Sequence, residues 1–268
     1  MKKNALLASD MDGTVIPLES GKEHDEEILR FCRVMRGNPH VSLAYVTGRH
    51  LELGLAGVKK YRLPPPDIFV CDVGTTIYLK TGDAWRKDSE YHSRLQKSWK
   101  GRTGEDVAQI LKNIPELVAQ EDEKQEEFKQ SYYVTRQIDR ETVIAEIHRQ
   151  LGFSQLRANV IYSVDSIKNV GLIDVLPDIA AKDYALEYLS NKLDINKDDV
   201  VYAGDSGNDL LAFISGFNAI VVANTDEDVK AEARIEAQRK NIEARLFFAS
   251  KKYVSGVMEG CYHFNLFR

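Results

Sequence analysis

Cysteine is scarce: Cys32, Cys71 and Cys261 are the only three in 268 residues, far apart and without a CxxC pair. That argues against a disulfide framework or a zinc site, and three reduced thiols fit the cytoplasm. Long apolar runs are also missing, and none approaches the length of a transmembrane helix. The basic start Met1-Lys2-Lys3-Asn4 is followed only by Ala5 to Ala8 before Ser9-Asp10, too short for the core of a signal peptide. Nor is there an excess of positive charge, since 36 Lys and Arg face 41 Asp and Glu, for a formal net charge of -5. A mildly acidic surface argues against nucleic acid or an anionic membrane as the main partner. Internal repeats and low-complexity tracts are absent. The expectation is a soluble cytoplasmic protein of one large or two modest domains.

What is present is an ordinary globular composition, 43% hydrophobic and 29% charged. Ala5 to Ser9 reads as a short buried strand that runs into Asp10-Met11-Asp12-Gly13-Thr14. His24 to Met35 has helical spacing and stops at Gly37-Asn38-Pro39. Val41 to Val46 is a second strand, ending at Thr47-Gly48-Arg49. A helix over 51–60 and a strand over 67–71 follow. Strand and helix in alternation predict a parallel sheet with helices on both faces. Ligands of such sheets bind beyond the carboxyl ends of the strands, where both polar loops fall.

The pattern changes after Tyr78. Lys80-Thr81-Gly82-Asp83 resembles a hairpin turn, 89–114 is polar with helical patches, and 121–127 carries five acidic residues in seven, as a solvated segment would. Strands over 132–134 and 159–164 flank an amphipathic helix over 140–151. The first alternation returns at Gly171, with a strand over 172–176, a helix over 180–193, strands over 200–203 and 219–222, and a last helix over 253–261. The predicted organisation is an α/β Rossmann-like core in two parts, 1–80 and 172–268, with an α+β cap inserted at 81–171.

Asp10 and Asp12 stand two apart at a strand end, with Gly13 permitting a tight turn. Two carboxylates so close repel unless a cation joins them, and oxygen-only ligands suit magnesium. One carboxylate could then attack phosphorus while the other exchanges a proton with the leaving or attacking oxygen. A plain Asp-Gly turn is the other reading. Thr47-Gly48-Arg49 also fits an ordinary strand-to-helix turn, although its hydroxyl and N–H groups could hold a phosphoryl oxygen. Lys182 alone resembles a solvated lysine near a helix start. Gly204-Asp205-Ser206-Gly207-Asn208-Asp209, at a second strand end, is what the other arm of a magnesium site requires.

In this order, DMDGT (10–14), YVTGR (45–49), Lys182 opening KDYAL (182–186) and GDSGND (204–209) resemble the haloacid dehalogenase superfamily of phosphohydrolases. The insertion point resembles the branch with a larger cap between the third strand and the motif lysine. VGTTIY (73–78), FKQSYYV (128–134), DVLP (174–177) and FASKKYVSGVMEGCYHF (248–264) are similar to the sucrose-phosphate phosphatases.

This resemblance implies Asp10 as nucleophile and Asp12 as the acid and base. Thr47, Gly48 and Lys182 would bind the phosphoryl group. Asp10, the carbonyl of Asp12 and Asp205 would hold Mg2+, supported by Asn208 and Asp209. Arg49 and the cap residues Lys129, Ser131 and Tyr132 are its candidates for the sugar. The implied activity is Mg2+-dependent hydrolysis of a sugar phosphate, sucrose 6-phosphate first. Mannosylfructose, glucosylglycerol or trehalose phosphate are alternatives, followed by a phosphosugar mutase or a silent regulatory domain bound to a glycosyltransferase. Two departures from the family, 163–171 with Leu172 and Asp183 in place of a glycine, bear on the substrate rather than on the phosphoryl chemistry.

Overall fold

The computed structural model describes residues 3–19, 21–165 and 168–267. Met1 and Lys2 of the basic start, and Ser166 and Ile167 of the 163–171 segment, lie outside the described residues. The chain divides into two units, 1–87 with 182–268, and 88–181.

The first unit opens with β1 (Ala5–Ser9), α1 (Lys22–Gly37), β2 (Val41–Val46), α2 (Leu51–Tyr61), β3 (Ile68–Cys71) and the hairpin β4 (Thr76–Thr81) and β5 (Ala84–Lys87). The second unit holds α3 (Ser89–Ser98), α4 (Gly104–Leu111), β6 (Val118–Ala119), β7 (Gln130–Val134), α5 (Arg140–Phe153), β8 (Ala158–Asp165) and β9 (Val170–Pro177). The first unit resumes with α6 (Lys182–Leu193), β10 (Val200–Gly204), α7 (Leu210–Phe213), β11 (Asn218–Val221), α8 (Glu227–Arg239), β12 (Leu246–Phe248) and α9 (Tyr253–His263).

Among the described residues the first unit carries an eight-stranded sheet in the order β12-β11-β10-β1-β2-β3-β4-β5. The first six strands of that order pair in parallel, and β4 and β5 add an antiparallel edge. Every residue of β1, β2, β3, β10 and β11 is buried, as strands covered on both faces must be. Helix α1 turns Ile28 and Phe31 inward, three residues apart on one face, and each such side chain contributes about 1.5–3 kcal/mol by leaving water. It ends at Asn38, whose helical conformation Pro39 disfavours. The chain moves outward from β1 through β2 to β3, then resumes on the other side of β1 at β10. The strand order therefore reverses between β1 and β10, and the crevice at their carboxyl ends is the natural ligand site.

The second unit has an antiparallel four-stranded sheet, β6-β7-β9-β8, among the described residues. Its core is Tyr91, Leu95, Trp99, Val107, Leu111, Val143, Ile147 and Leu151, all buried. Its helices start at sequence-encoded caps: Asp88 accepts from the N–H groups of Glu90 and Tyr91, Thr103 and Asp106 form a capping box, and Asp139 accepts from Thr142.

Two boundaries differ from expectation. Residues 81–87 belong to the core sheet, because β5 pairs with β4 and Trp85 packs edge-on against Phe69, ring centroids 5.1 Å apart. Residues 172–181 belong to the second unit: β9 pairs with β7 and β8, not with a core strand. Its apolar run resembles a buried parallel strand, but Leu172 and Asp174 are half-buried while Ile173 and Val175 are fully buried, the alternation of a sheet covered on one face. Helix α6 starts at Lys182 rather than at Ala180, whose N–H instead closes a turn on Pro177. The acidic run 121–127 is exposed except at Gln125. No disulfide joins the three cysteines, and Cys71 and Cys261 are buried. No helix among the described residues is long and apolar enough to cross a membrane.

Candidate active site

The ladder between β1 and β10 runs one step beyond Ser9, because Asp10 donates its N–H to the Ala203 carbonyl at 2.9 Å. Met11, Val15 and Ile16 then bury their side chains in the core, and the N–H groups of Thr14, Val15 and Ile16 all turn back on the Met11 carbonyl. The loop is thus anchored by its apolar members, and its acidic members are left for chemistry.

Lys182, at the first position of α6, joins the two halves of the core. Its ammonium donates to Asp10 Oδ1 at 2.8 Å and to Asp209 Oδ1 at 2.5 Å, and all three side chains are buried. Asp209 is fully covered. It also accepts from the Tyr202 hydroxyl and, through Oδ2, from the N–H groups of Asp205 and Ser206 and the Ser206 hydroxyl. Asp205 accepts from the Thr14 hydroxyl at 2.9 Å, which ties the β10 loop to the β1 loop.

Burial and neighbouring charge together explain the titration of the cluster. Burial pushes Asp10 up to about 8; Lys182 pulls it down, and Asp209 adds repulsion. Burial, then Asp209, pushes Asp205 up to about 7. Burial also opposes ionisation of Asp209, yet the Lys182 ammonium, together with the hydrogen bonds from Lys182, Tyr202 and the Ser206 N–H, holds that carboxylate below its ordinary value. Burial likewise opposes the charge on Lys182, and the two carboxylates beside it overcome that effect and raise it.

Asp10, Asp205 and Asp209 each offer a carboxylate oxygen, and these lie within 4.8 Å of one another. Burial disfavours the charged form of Asp10 and Asp205, and an all-oxygen donor set suits a hard divalent cation that would offset it. The triad therefore fits such an ion. Asp12 was expected to offer the ion its main-chain carbonyl, and its carboxylate turns to Arg49, while Asn208 is exposed on the turn before α7.

The Arg49 guanidinium grips Asp12 with two hydrogen bonds, Nε to Oδ2 at 2.8 Å and Nη2 to Oδ1 at 2.6 Å. The main-chain N–H of Arg49 donates to the Thr47 hydroxyl at 3.2 Å, and Thr47 itself is buried. Gly48 is not demanded by packing, since a Cβ there would meet only Val73 Cγ2, at 3.8 Å. Asp183, in the first turn of α6, suits the positive end of that helix, although its Oδ1 is buried without a hydrogen-bond partner among the described residues.

In the second unit Lys129, Ser131 and Tyr132 are all buried around β7. Strand geometry divides them: Ser131 lies opposite Asp174 and donates its hydroxyl to that carboxylate, whereas Tyr132 lies opposite Ile173, on the other face. Tyr132 therefore shares the apolar side of the sheet, and its hydroxyl is buried without a partner among the described residues.

Sequence reasoning missed three supports. Asp72 and Val73, with φ of 55° and 60°, form a strained turn whose N–H groups bond the carbonyls of Arg49 and Thr47. Tyr202 is hidden inside an apolar strand pattern. Asn224 donates to the Gly13 carbonyl at 2.8 Å, and its only signal is that it follows the carboxyl end of β11.

Residues 3–265 match the family of the sucrose-6F-phosphate phosphohydrolase. A HAD-like hydrolase of Nitrosococcus oceani is 36% identical over 271 residues, which cover 98% of this chain and 72% of that protein. The mannosylfructose-phosphate phosphatase of Agrobacterium fabrum is 28% identical, with 99% of each chain covered. The fold matches that of the sucrose-phosphatase of Synechocystis, solved with sucrose and phosphate, at a TM-score of 0.79 and 23% identity, covering 100% of this chain and 99% of that one. The chain spans 59 to 60% of the length of the plant sucrose-phosphatases it matches. It belongs to the sucrose-6F-phosphate phosphohydrolase family and is a phosphatase of the haloacid dehalogenase superfamily.

Proposed function

We propose that this chain hydrolyses a phosphorylated disaccharide or glycoside, sucrose 6-phosphate first, with Mg2+ as cofactor and Asp10 as nucleophile. The observation that carries this reading is the buried Asp10–Lys182–Asp209 cluster, with Asp205 beside it, at the point where the strand order reverses.

A carboxylate oxygen of Asp10 attacks phosphorus, and the bond from phosphorus to the sugar oxygen breaks. Asp12 delivers a proton to that oxygen and, as carboxylate, then takes one from the water that attacks phosphorus. The Asp10–phosphorus bond breaks in turn, returning the carboxylate and releasing inorganic phosphate. Lys182 offsets the negative charge on the transferring group, and the Thr47 hydroxyl and the N–H groups before α2 offer it donors. Mg2+ held by Asp10, Asp205 and Asp209 would neutralise phosphoryl oxygens. The grip of Arg49 on Asp12 limits the conformations open to the second carboxylate, which supports this reading.

Family membership and the mannosylfructose-phosphate phosphatase relative support a glycosyl phosphate as substrate. Lys129 and Ser131 are the candidates for the sugar, with Asp174 as the partner of Ser131, whereas the face that Tyr132 occupies gives it a packing role. Comparison of kcat/KM across sucrose 6-phosphate, mannosylfructose phosphate, glucosylglycerol phosphate and trehalose phosphate tests the substrate. A preference of at least about tenfold for sucrose 6-phosphate supports the narrow reading. Preference for another member moves the substrate and keeps the chemistry. Isomerisation of a hexose phosphate stimulated by a trace of glucose bisphosphate, without phosphate release, overturns it in favour of a mutase.

A further inference from the structure

The segment 248–264, which resembles the sucrose-phosphate phosphatases, supplies no group to the chemistry above, yet it is tied to the loop that carries Asp10. Ala249 donates its N–H to the Val221 carbonyl at 2.9 Å, and Ala223 donates to the Lys251 carbonyl at 3.0 Å, so the segment follows β11 beyond its end. The first turn of α9 closes tightly on that carbonyl: a Cβ on Gly256 would lie 2.2 Å from it. Tyr253 takes the left-handed conformation, φ 51°, and directs its N–H to Asn224 Oδ1 at 3.0 Å.

The other end of the same amide donates from Nδ2 to the Gly13 carbonyl at 2.8 Å. Both hydrogen bonds agree on one orientation of the Asn224 amide. Gly13 is pressed from its opposite side as well, since a Cβ there would sit 2.1 Å from Asp205 Oδ2. The Gly13 peptide is thus held between Asn224 and Asp205, one residue from Asp12 and three from Asp10.

We infer that Asn224, fixed by the first turn of α9, is a positioning residue that sets the Asp10–Gly13 loop against Asp205 and so shapes the site for the divalent cation. This inference rests on the proposed reading of that loop as the phosphoryl-transfer and cation site. Asn224 acts through Gly13 and takes no part in bond making.

The test is Mn2+ binding to the metal-free full chain, followed by electron paramagnetic resonance, with kinetics alongside. Asn224→Ala weakens Mn2+ binding about tenfold or more, the usual effect of removing a group that orients a metal-site residue. It lowers kcat while KM for the sugar phosphate moves by less than about threefold. Asn224→Asp keeps the acceptor for Tyr253 and loses the donor to Gly13, so it also weakens Mn2+ binding despite its added negative charge. If Asn224→Ala does not fold, Asn224→Asp carries the test. Wild-type Mn2+ affinity in the folded variants overturns the inference. Wild-type protein that binds Mn2+ but hydrolyses no sugar phosphate overturns the proposed substrate and leaves the binding comparison to decide the role of Asn224. Wild-type protein that binds no divalent cation overturns both.

Discussion

Arg49 holds Asp12 through a two-pronged salt bridge, and a glycine makes room for it. A Cβ on Gly57 would lie 2.8 Å from Arg49 Nη1, and that same nitrogen donates to the Leu53 carbonyl at 3.3 Å. The family resemblance implied Arg49 as a contact to substrate, and its guanidinium also meets the proposed acid and base. Lysine cannot reproduce the fork. Arg49→Lys therefore lowers kcat by about ten- to a hundredfold, a part of the roughly 10²–10⁴-fold that general acid–base catalysis contributes, with a smaller change in KM. Steady-state kinetics on sucrose 6-phosphate read the split. A rise in KM alone would return Arg49 to substrate binding.

Lys182 separates two buried carboxylates, and removing it leaves both without a counter-charge. Lys182→Met destabilises the metal-free protein by about 3–5 kcal/mol, the cost of breaking a buried ion pair from one side. Urea unfolding followed by circular dichroism measures this. Unchanged stability would mean that the cluster is less buried or less coupled than described.

Asp10 and Asp205 both titrate above the ordinary carboxylate value of 3.8, near 8 and 7. In the metal-free protein the folded state then binds more protons than the unfolded chain between about pH 4 and those values. The sign follows: these two groups make stability fall as pH rises from 4 to 8. A cation that takes the place of the protons removes the penalty, so Mg2+ raises the melting temperature more at pH 8 than at pH 6. Thermal melts at both pH values, with and without chelator, check this, and an increment independent of pH would contradict it.

Gly13 sits at φ 82° against the Asp205 carboxylate. Gly13→Ala forces either the loop or Asp205 to move. It costs about 1–3 kcal/mol of stability through strain at a positive φ. Mg2+-induced stabilisation is lost with it, and differential scanning calorimetry reads both. Retention of the full Mg2+ effect would show that Asp205 does not depend on the close approach.

Much of this was legible in the residues. The strand-end loops at Asp10 and Asp205 announce themselves because buried apolar strands stop abruptly at paired acids, and the parallel order then brings the two ends together. The edges of the inserted unit were harder to read. At β9, local apolar content resembles a core strand, and only the cross-strand pairing with β7 and β8 assigns it to the other sheet. The hairpin with Trp85 had the opposite problem, since its polar residues conceal one aromatic anchor on Phe69. Arg49 and Asn224 act over long sequence separations, and Tyr202 reaches back across one loop to Asp209, all through side-chain geometry that periodicity does not encode.

The central claim is that phosphoryl transfer passes through Asp10, and a rapid acid quench tests it most directly. Protein mixed with sucrose 6-phosphate and Mg2+ is quenched within one turnover, digested and weighed by mass spectrometry, with free phosphate measured in parallel. The predicted result is a phosphoryl group on the peptide carrying Asp10, more abundant in Asp12→Ala if its hydrolysis step fails first. Asp10→Asn is predicted to show neither that adduct nor phosphate release while keeping its fold, because burial already disfavours charge at that position. Phosphate release from folded Asp10→Asn at the wild-type rate would contradict the assignment.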